Sequence, residues 1–316
     1  MATKRVMVSL VHISDPHLGP LPPARLRELA SKRILGFINW RRNRSRLMQV
    51  DLPSRLVSAV RALEPDHIAV TGDLVNIALP AEFATARAFL DALGDGSDVS
   101  VIPGNHDAYV RGSLDRASAS WTPWMQGDSG DSSWPYVRRR GDIAIIGVSS
   151  ARSTGPFMAT GTVGRRQAEQ LAIELAALGQ EGLCRVVLIH HPPQTDGAHW
   201  HKRLVDARRF RKAIAAGGAE LILHGHTHLP SVAYIDGPSG AKVPVLGISA
   251  ATQTHGGRKP PSGFNHFTFE KTEAGWRIDR QRYELDAASG DYSEIERDSF
   301  TGGVRTQLAP GTMNQA

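Results

Sequence analysis

Short apolar runs rich in β-branched residues recur along the chain, and each stops on a polar cluster or a turn residue. They are "VMVSLVHIS", "HIAVTG", "VSVIPG", "IAIIGVSS", "VVLIHH", "LILHGH" and "VPVLGIS". Runs that are apolar throughout, instead of alternating, read as strands buried on both faces. Between them lie stretches with helical spacing: Pro53 to Leu63, Ala81 to Leu93, Arg165 to Leu178 and Lys202 to Ala216. Strand and helix in alternation give an α/β layer architecture, and the strand-rich stretch from about Val243 to Leu285 points to a mixed sheet. The 316 residues suffice for one large core. No repeat or long linker divides them, which predicts one domain over residues 1–288 and a C-terminal extension over 289–316. The closing "TGGVRTQLAPGTMNQA" has the composition of a loosely held tail.

In open α/β sheets ligands bind where strands end, so the clusters after the strands matter most. They are Asp15 and His17 in "HISDPHLGP", Asp73 in "AVTGDLVN", and Asn105, His106 and Asp107 in "VIPGNHDAY". His190 and His191 follow in "LIHHPP", then His224, His226 and His228 in "LILHGHTHLP". Taken singly, each has an ordinary reading: Asp15 caps a turn, Asp73 caps a helix, Asn105 closes a hairpin, and a histidine satisfies itself in the core. Taken together they bring imidazole, carboxylate and amide donors to one edge of the fold. Such a set suits a metal. Gly225, between two of the histidines, is expected to let the backbone bend there.

The order Asp-x-His, Gly-Asp, Gly-Asn-His-Asp, His and Gly-His-x-His, running from Val11 to His228, resembles the calcineurin-like metallophosphoesterases. Within them it is most similar to bacterial enzymes of the class III cyclic nucleotide phosphodiesterase type, given "DPHL", "GNHD" and "HHPP". The resemblance implies a four-layer αββα sandwich with two mixed sheets flanked by helices and a metal site at the strand ends. It implies two divalent or trivalent metal ions, with Asp15, His17 and His228 on the first, Asn105, His190 and His226 on the second, and Asp73 bridging. It further implies that metal-activated water attacks phosphorus in line, that His106 stabilises or protonates the leaving group, and that Asp107 orients the His106 ring. Nitrogen and oxygen donors without thiolate fit manganese, iron or zinc better than calcium. His106 and Asn105 are expected to touch substrate, and His224, His191 and His199 are further candidates. His12, His67, His255 and His266 are assigned to packing, and so by default are His199 and His201, which are the exceptions to test because they lie in the loop after "HHPP" that a phosphate or leaving group would pass.

Between the first two clusters lies a basic helical insertion, about residues 22–50. Its segment Arg25 to Arg46 carries eight Lys or Arg against one acid, Glu28. Leu26, Leu29, Ile34, Phe37 and Ile38 fall near one face of a helix, with Arg25, Lys32, Arg41 and Arg42 elsewhere. Two uses fit this pattern: a sheet-covering helix with a solvated basic face, or a surface contact for an anionic substrate or lipid membrane. The net charge of +6 favours phosphate-bearing partners without predicting specific nucleic-acid binding. No apolar run approaches the roughly 18 residues of a membrane span. "MATKRVMVSLVHISD" reads as a first strand, not a signal peptide. The single cysteine, Cys184, sits in a strand-like run and fits a reducing cytoplasm. The expectation is therefore a cytoplasmic phosphodiesterase acting on a small phosphodiester. The alternatives are a hydrolase of phospholipid or nucleotide-sugar lipid pyrophosphate at the inner membrane surface, or a non-catalytic metal-binding scaffold. Oligomeric state is open.

Overall fold

The computed structural model describes residues 7–44 and 49–309, with side chains described up to Arg42 in the first stretch. Its strands form two mixed sheets. In the first, β1 (Val8–Ile13), β2 (His67–Val70) and β3 (Val99–Val101) run parallel, and β10 (Gly263–Thr272) pairs antiparallel with the other edge of β1. The antiparallel run continues through β11 (Gly275–Leu285), β12 (Tyr292–Thr301) and β13 (Val304–Leu308). In the second, β5 (Ile143–Val148), β6 (Cys184–Ile189), β7 (Leu221–His224) and β9 (Lys242–Gly247) are parallel, with β4 (Tyr136–Arg140) and β8 (Ser231–Asp236) as antiparallel edges.

The sheets face each other and helices cover both outer faces. Val11 and Ile13 of β1 pack with α3 (Leu52–Ala62), α4 (Pro80–Leu93) and α5 (Ser113–Trp121) through Leu56, Val60, Phe83, Leu90 and Trp121. Leu10, one residue before Val11, turns the other way and joins Ile145, Val186 and Leu223 of the second sheet. That period of two, with apolar residues on both sides, is why the strands read as unbroken apolar runs. The outer face of the second sheet is covered by α6 (Arg165–Gln180) and α7 (Ala207–Gly217) through Leu171, Leu175, Phe210 and Ile214. The result is the expected α/β fold, with two mixed sheets between layers of helix.

Three expectations differ from the structure. Helix α7 starts at Ala207, not Lys202, because Asp206 accepts hydrogen bonds from the N–H groups of Val163 and Gly164, 2.9 and 2.8 Å away, and ties the chain down there. The segment after residue 288 supplies strands β12 and β13 where an extension was expected, and "TGGVRTQL" is hairpin, not tail. Strand β13 is exposed at all five positions, so it lacks the apolar alternation that marks a strand. Arg305, on that strand, instead reaches Asp298 at 2.9 Å. The basic insertion is not one helix with a buried face. It is α1 (Leu26–Leu29), α2 (Arg33–Asn39) and a π-helical turn at Trp40–Arg44, with no fully buried residue in α1 or α2. Its part at 45–48 lies outside the described residues, as do the side chains of Arg44 and Arg46.

Candidate metal centre

The loops that leave β1, β2, β3, β6 and β7 meet at one edge of the two sheets. The loop after β1 is bonded to the loop after β2 by Asp15 N–H to the Gly72 carbonyl, 2.9 Å, and His17 N–H to the Asp73 carbonyl, 2.9 Å. Gly104 lies so close to Asp73 that a Cβ would strike its carboxylate, and a Cβ on Gly225 would strike Ser14 and Asp15. Gly225 thus serves by close approach, not by the bend expected of it. The left-handed backbone falls on its neighbours: Asp15, His17, Asp73, His226 and His228 all have positive φ. They make up five of the ten such non-glycine residues among those described. Strained dihedrals of this kind persist where the surrounding structure imposes them, and they gather at functional sites.

Backbone carbonyls fix the imidazoles. His17 Nδ1 donates to the Val75 carbonyl at 3.1 Å, and His190 Nδ1 donates to the Thr71 carbonyl at 2.7 Å. In each neutral ring Nε2 then carries the lone pair. His17 Nε2 lies 3.2 Å from His228 Nε2 and 3.8 Å from carboxylate oxygens of both Asp15 and Asp73. His190 Nε2 lies 3.2 Å from Asn105 Oδ1 and 3.3 Å from Asp73 Oδ2. His226 Nε2 is buried with no hydrogen-bond partner. Asp15 Oδ1 is buried 3.1 Å from His228 Nε2, a carboxylate oxygen facing an imidazole nitrogen. Acceptors that face one another this way call for a cation between them. Three donor groups have that geometry: Asp15 with His17 and His228, His17 with Asp73 and His106, and Asp73 with His190 and His226.

The electrostatics agree. Burial acts to raise Asp73, but the His190 and His106 imidazoles hold it well below the usual carboxylate range. Burial acts to lower His190, but the Asp73 carboxylate brings it up to about 9, so this nitrogen takes a positive charge readily. His226, buried beside His191 and His190, is held well below its ordinary value and stays a neutral donor.

Other expected residues fall differently. Asp107 does not touch the His106 ring. Its Oδ2 accepts from the N–H groups of Asp73 and Gly104, both at 2.8 Å, and its Oδ1 accepts from Leu74 at 2.9 Å and Val75 at 3.2 Å. The ring of His106 is oriented by Asn76, whose carbonyl accepts a short hydrogen bond from Nδ1. His224 is fully buried, with Nδ1 on the Gly225 carbonyl and its ring against Gly247. His191 is fully buried between Ser150 and the Ala159 carbonyl. Neither ring is among the side chains that line the cavities at Asn105 and His106 or at His226. His199 does line one, and its ring stacks on His201 at 5.9 Å. Sequence reasoning missed Asn76 and Glu82. The Asn76 amide donates to the carbonyls of His17 and Leu18, and Glu82 accepts from the N–H groups of Asn76, Ile77 and Leu79. Only the "LPAE" start of α4, with an acid at its third helical position, signalled such a role.

The chain is similar to known proteins in sequence and in fold. The family model for calcineurin-like phosphoesterase matches residues 8–230. A probable cyclic nucleotide phosphodiesterase of Rhodococcus erythropolis is 26% identical over 248 residues, covering 77% of this chain and 71% of that protein. A dimetal phosphatase from Danio rerio has the same fold, with a TM-score of 0.59 and 13% identity over 91% of this chain and 98% of that one. So does a purple acid phosphatase from yellow lupin, with a TM-score of 0.60 and 12% identity over 94% of this chain and 54% of that one. With its strand-end histidines and carboxylates, and a family match spanning most of its length, this chain belongs to the calcineurin-like phosphoesterases, metal-dependent hydrolases of phosphoric esters.

Proposed function

We propose that the protein is a binuclear metal-dependent phosphodiesterase acting on a small phosphodiester. The observation that carries this reading is Asp73 Oδ2, a single carboxylate oxygen 3.8 Å from His17 Nε2 and 3.3 Å from His190 Nε2, between two otherwise separate donor groups. Asp15, His17 and His228 would hold one cation, Asn105, His190 and His226 the other, and Asp73 both. Manganese, iron or zinc suits the nitrogen and oxygen donors. Two cations held there supply charge for the phosphoryl oxygens and lower the pKa of a water. His106, partly exposed and oriented through Nδ1, has Nε2 as the atom that passes a proton to the leaving oxygen. Asn105 would hold its cation through Oδ1, which lies 3.2 Å from His190 Nε2, and would donate its NH₂ to a phosphoryl oxygen. Similarity to the probable cyclic nucleotide phosphodiesterase of Rhodococcus erythropolis supports a phosphodiester as substrate.

The test is turnover of bis-p-nitrophenyl phosphate against p-nitrophenyl phosphate after reconstitution with manganese. Faster diester cleavage is expected. Cleavage of the monoester alone would refute the diesterase, and no cleavage with two ions bound would leave the scaffold.

A second reading, contact with an anionic membrane, is favoured by the insertion's outer surface. Leu26 is 88% exposed, Ile34 and Ile38 about 40%, and Arg25, Arg27, Arg41 and Arg42 are exposed beside them. Apolar side chains interleaved with arginine suit an interfacial helix. Lys32 and Arg33 do not join that surface: Lys32 Nζ donates to the Thr154 carbonyl at 2.8 Å, and Arg33 donates to the carbonyls of Ile77 and Ala78. Among the described residues no helix is long and apolar enough to cross a membrane. Sedimentation with phosphatidylglycerol vesicles, against phosphatidylcholine vesicles, separates the readings.

A further inference from the structure

Two cavities adjoin the metal centre, one at Asn105 and His106 and the other at His226. The first, about 740 Å³, reaches Asn105 and His106 and is walled by the insertion and by the loop after β5. Its large apolar side chains are Leu35, Tyr109, Phe157, Met158 and Trp200. Phe157 and Trp200 stand 83% and 69% exposed at its mouth. Gly36 is seated so tightly that a Cβ would strike Tyr109 and Ile77, so the insertion is a fixed wall of this cavity. Lys32, also on that wall, lies 4.3 Å over the Tyr109 ring and is engaged with Thr154.

The second cavity, about 630 Å³, reaches His226 and Thr227. Its charged side chains are Lys202 and Lys259, with His199 beside them and one opposing carboxylate, Asp196. Lys259 Nζ donates to the Thr227 carbonyl at 2.6 Å, which places an ammonium next to a proposed metal ligand. Trp200 and Lys202 belong to both walls, so the segment 196–202 stands between the cavities.

We propose that the substrate is an asymmetric phosphodiester, its leaving arm apolar and held in the first cavity, its retained arm anionic and held in the second. This inference rests on the phosphodiesterase reading. A monoester has one substituent and needs one cavity, whereas a diester at this centre has two arms that must leave it in different directions. The leaving oxygen has to lie beside His106, which assigns the leaving arm to the cavity that His106 lines. Apolar and aromatic walls bury an aryl or alkyl group well, and of the two lysines lining this cavity Lys32 is engaged with Thr154 while Lys202 is shared with the second cavity. The lysines of the other cavity offer charge-assisted bonds to a carboxylate or phosphate.

The experiment compares thymidine 5′-(p-nitrophenyl phosphate) with its 3′-phosphorylated form, in the manganese-loaded protein. Both release p-nitrophenolate, so they differ only in the charge of the retained arm. One charge-assisted hydrogen bond corresponds to about a tenfold or larger preference in kcat/KM for the 3′-phosphate, and that ratio should fall as salt rises. It should approach unity in Lys202→Gln/Lys259→Gln and fall partway in Lys202→Gln alone, a variant that leaves the Lys259 contact with Thr227 in place. Because a ratio is read, general loss of fold or metal cancels. Phe157→Ser should raise KM for both aryl diesters by about three- to tenfold. A wild-type ratio near unity, a ratio unchanged in the double variant, or an unchanged KM in Phe157→Ser overturns the proposal while the phosphodiesterase reading stands. Failure to cleave either diester, with p-nitrophenyl phosphate cleaved, removes both.

Discussion

Asp107→Asn separates two roles that one carboxylate can have in such a site. Both oxygens of Asp107 are occupied by backbone donors, Oδ2 by the N–H groups of Asp73 and Gly104 and Oδ1 by those of Leu74 and Val75. Burial and the nearby Asp73 carboxylate raise Asp107 more than the backbone N–H groups, which favour the charged form, lower it, and the balance stands at about 7. Asparagine has the same shape but one oxygen. Its NH₂ would face two N–H groups, leaving both unsatisfied at about 1–3 kcal/mol each. The loss is then about 2–6 kcal/mol. With an unfolding entropy of about 2.1 cal/mol/K per residue over 316 residues, that lowers Tm by about 3–9 °C. Because the displaced donors include Asp73 itself, manganese affinity should also fall, by about 10–100-fold for a group that orients a ligand. Calorimetric melting of the metal-free protein and titration with manganese read the two effects. A variant with normal Tm and normal manganese affinity but slow turnover would refute this account and return Asp107 to the His106 ring.

Asp73→Ala should abolish hydrolysis and lower bound metal, read by elemental analysis, because its carboxylate faces both donor groups. His106→Ala should keep both ions and lose about 10²–10⁴-fold in kcat, less for p-nitrophenolate as leaving group than for an alkoxide. Metal loss in that variant would make His106 a ligand, as its grouping with His17 and Asp73 allows. Arg280→Met should destabilise the first sheet in urea titration, by less than the about 3–5 kcal/mol of a fully unpaired buried charge, since Arg280 is 1% exposed and its removal leaves the buried Asp298 with Arg305 alone. The loss should be smaller in the double variant Arg280→Met/Asp298→Leu.

The strands and the residues that follow them were legible because the strands are covered on both faces and their ends are not, which sets a sharp boundary in the sequence. Asp15, Asp73, Asn105 and His226 all lie just beyond such a boundary. The role of Asp107 was not legible, since its partners are N–H groups that every residue has. The insertion misled for a related reason. Apolar residues at helical spacing mark a face that meets something, yet Leu26, Ile34 and Ile38 of that face stand exposed instead of meeting a sheet. Strand β4, "YVRRR", was missed because Arg138 is buried by bonding to backbone carbonyls, including those of Gln126 and Val99, which no pattern of hydropathy reports. Strand β13 was missed because an edge strand need not bury anything.

The left-handed dihedrals of the strand-end loops make the chemistry and the stability of this chain compete directly. Each such residue costs on the order of 1 kcal/mol relative to glycine, so those at Asp15, His17, Asp73, His226 and His228 together tax the fold by about 5 kcal/mol, a large share of an ordinary domain's net stability. Glycine at His228 would relieve its share and lose a donor in the same step. Metal-free protein therefore has a cheap escape from its own active site, and selection for heat resistance alone would empty that site one histidine at a time.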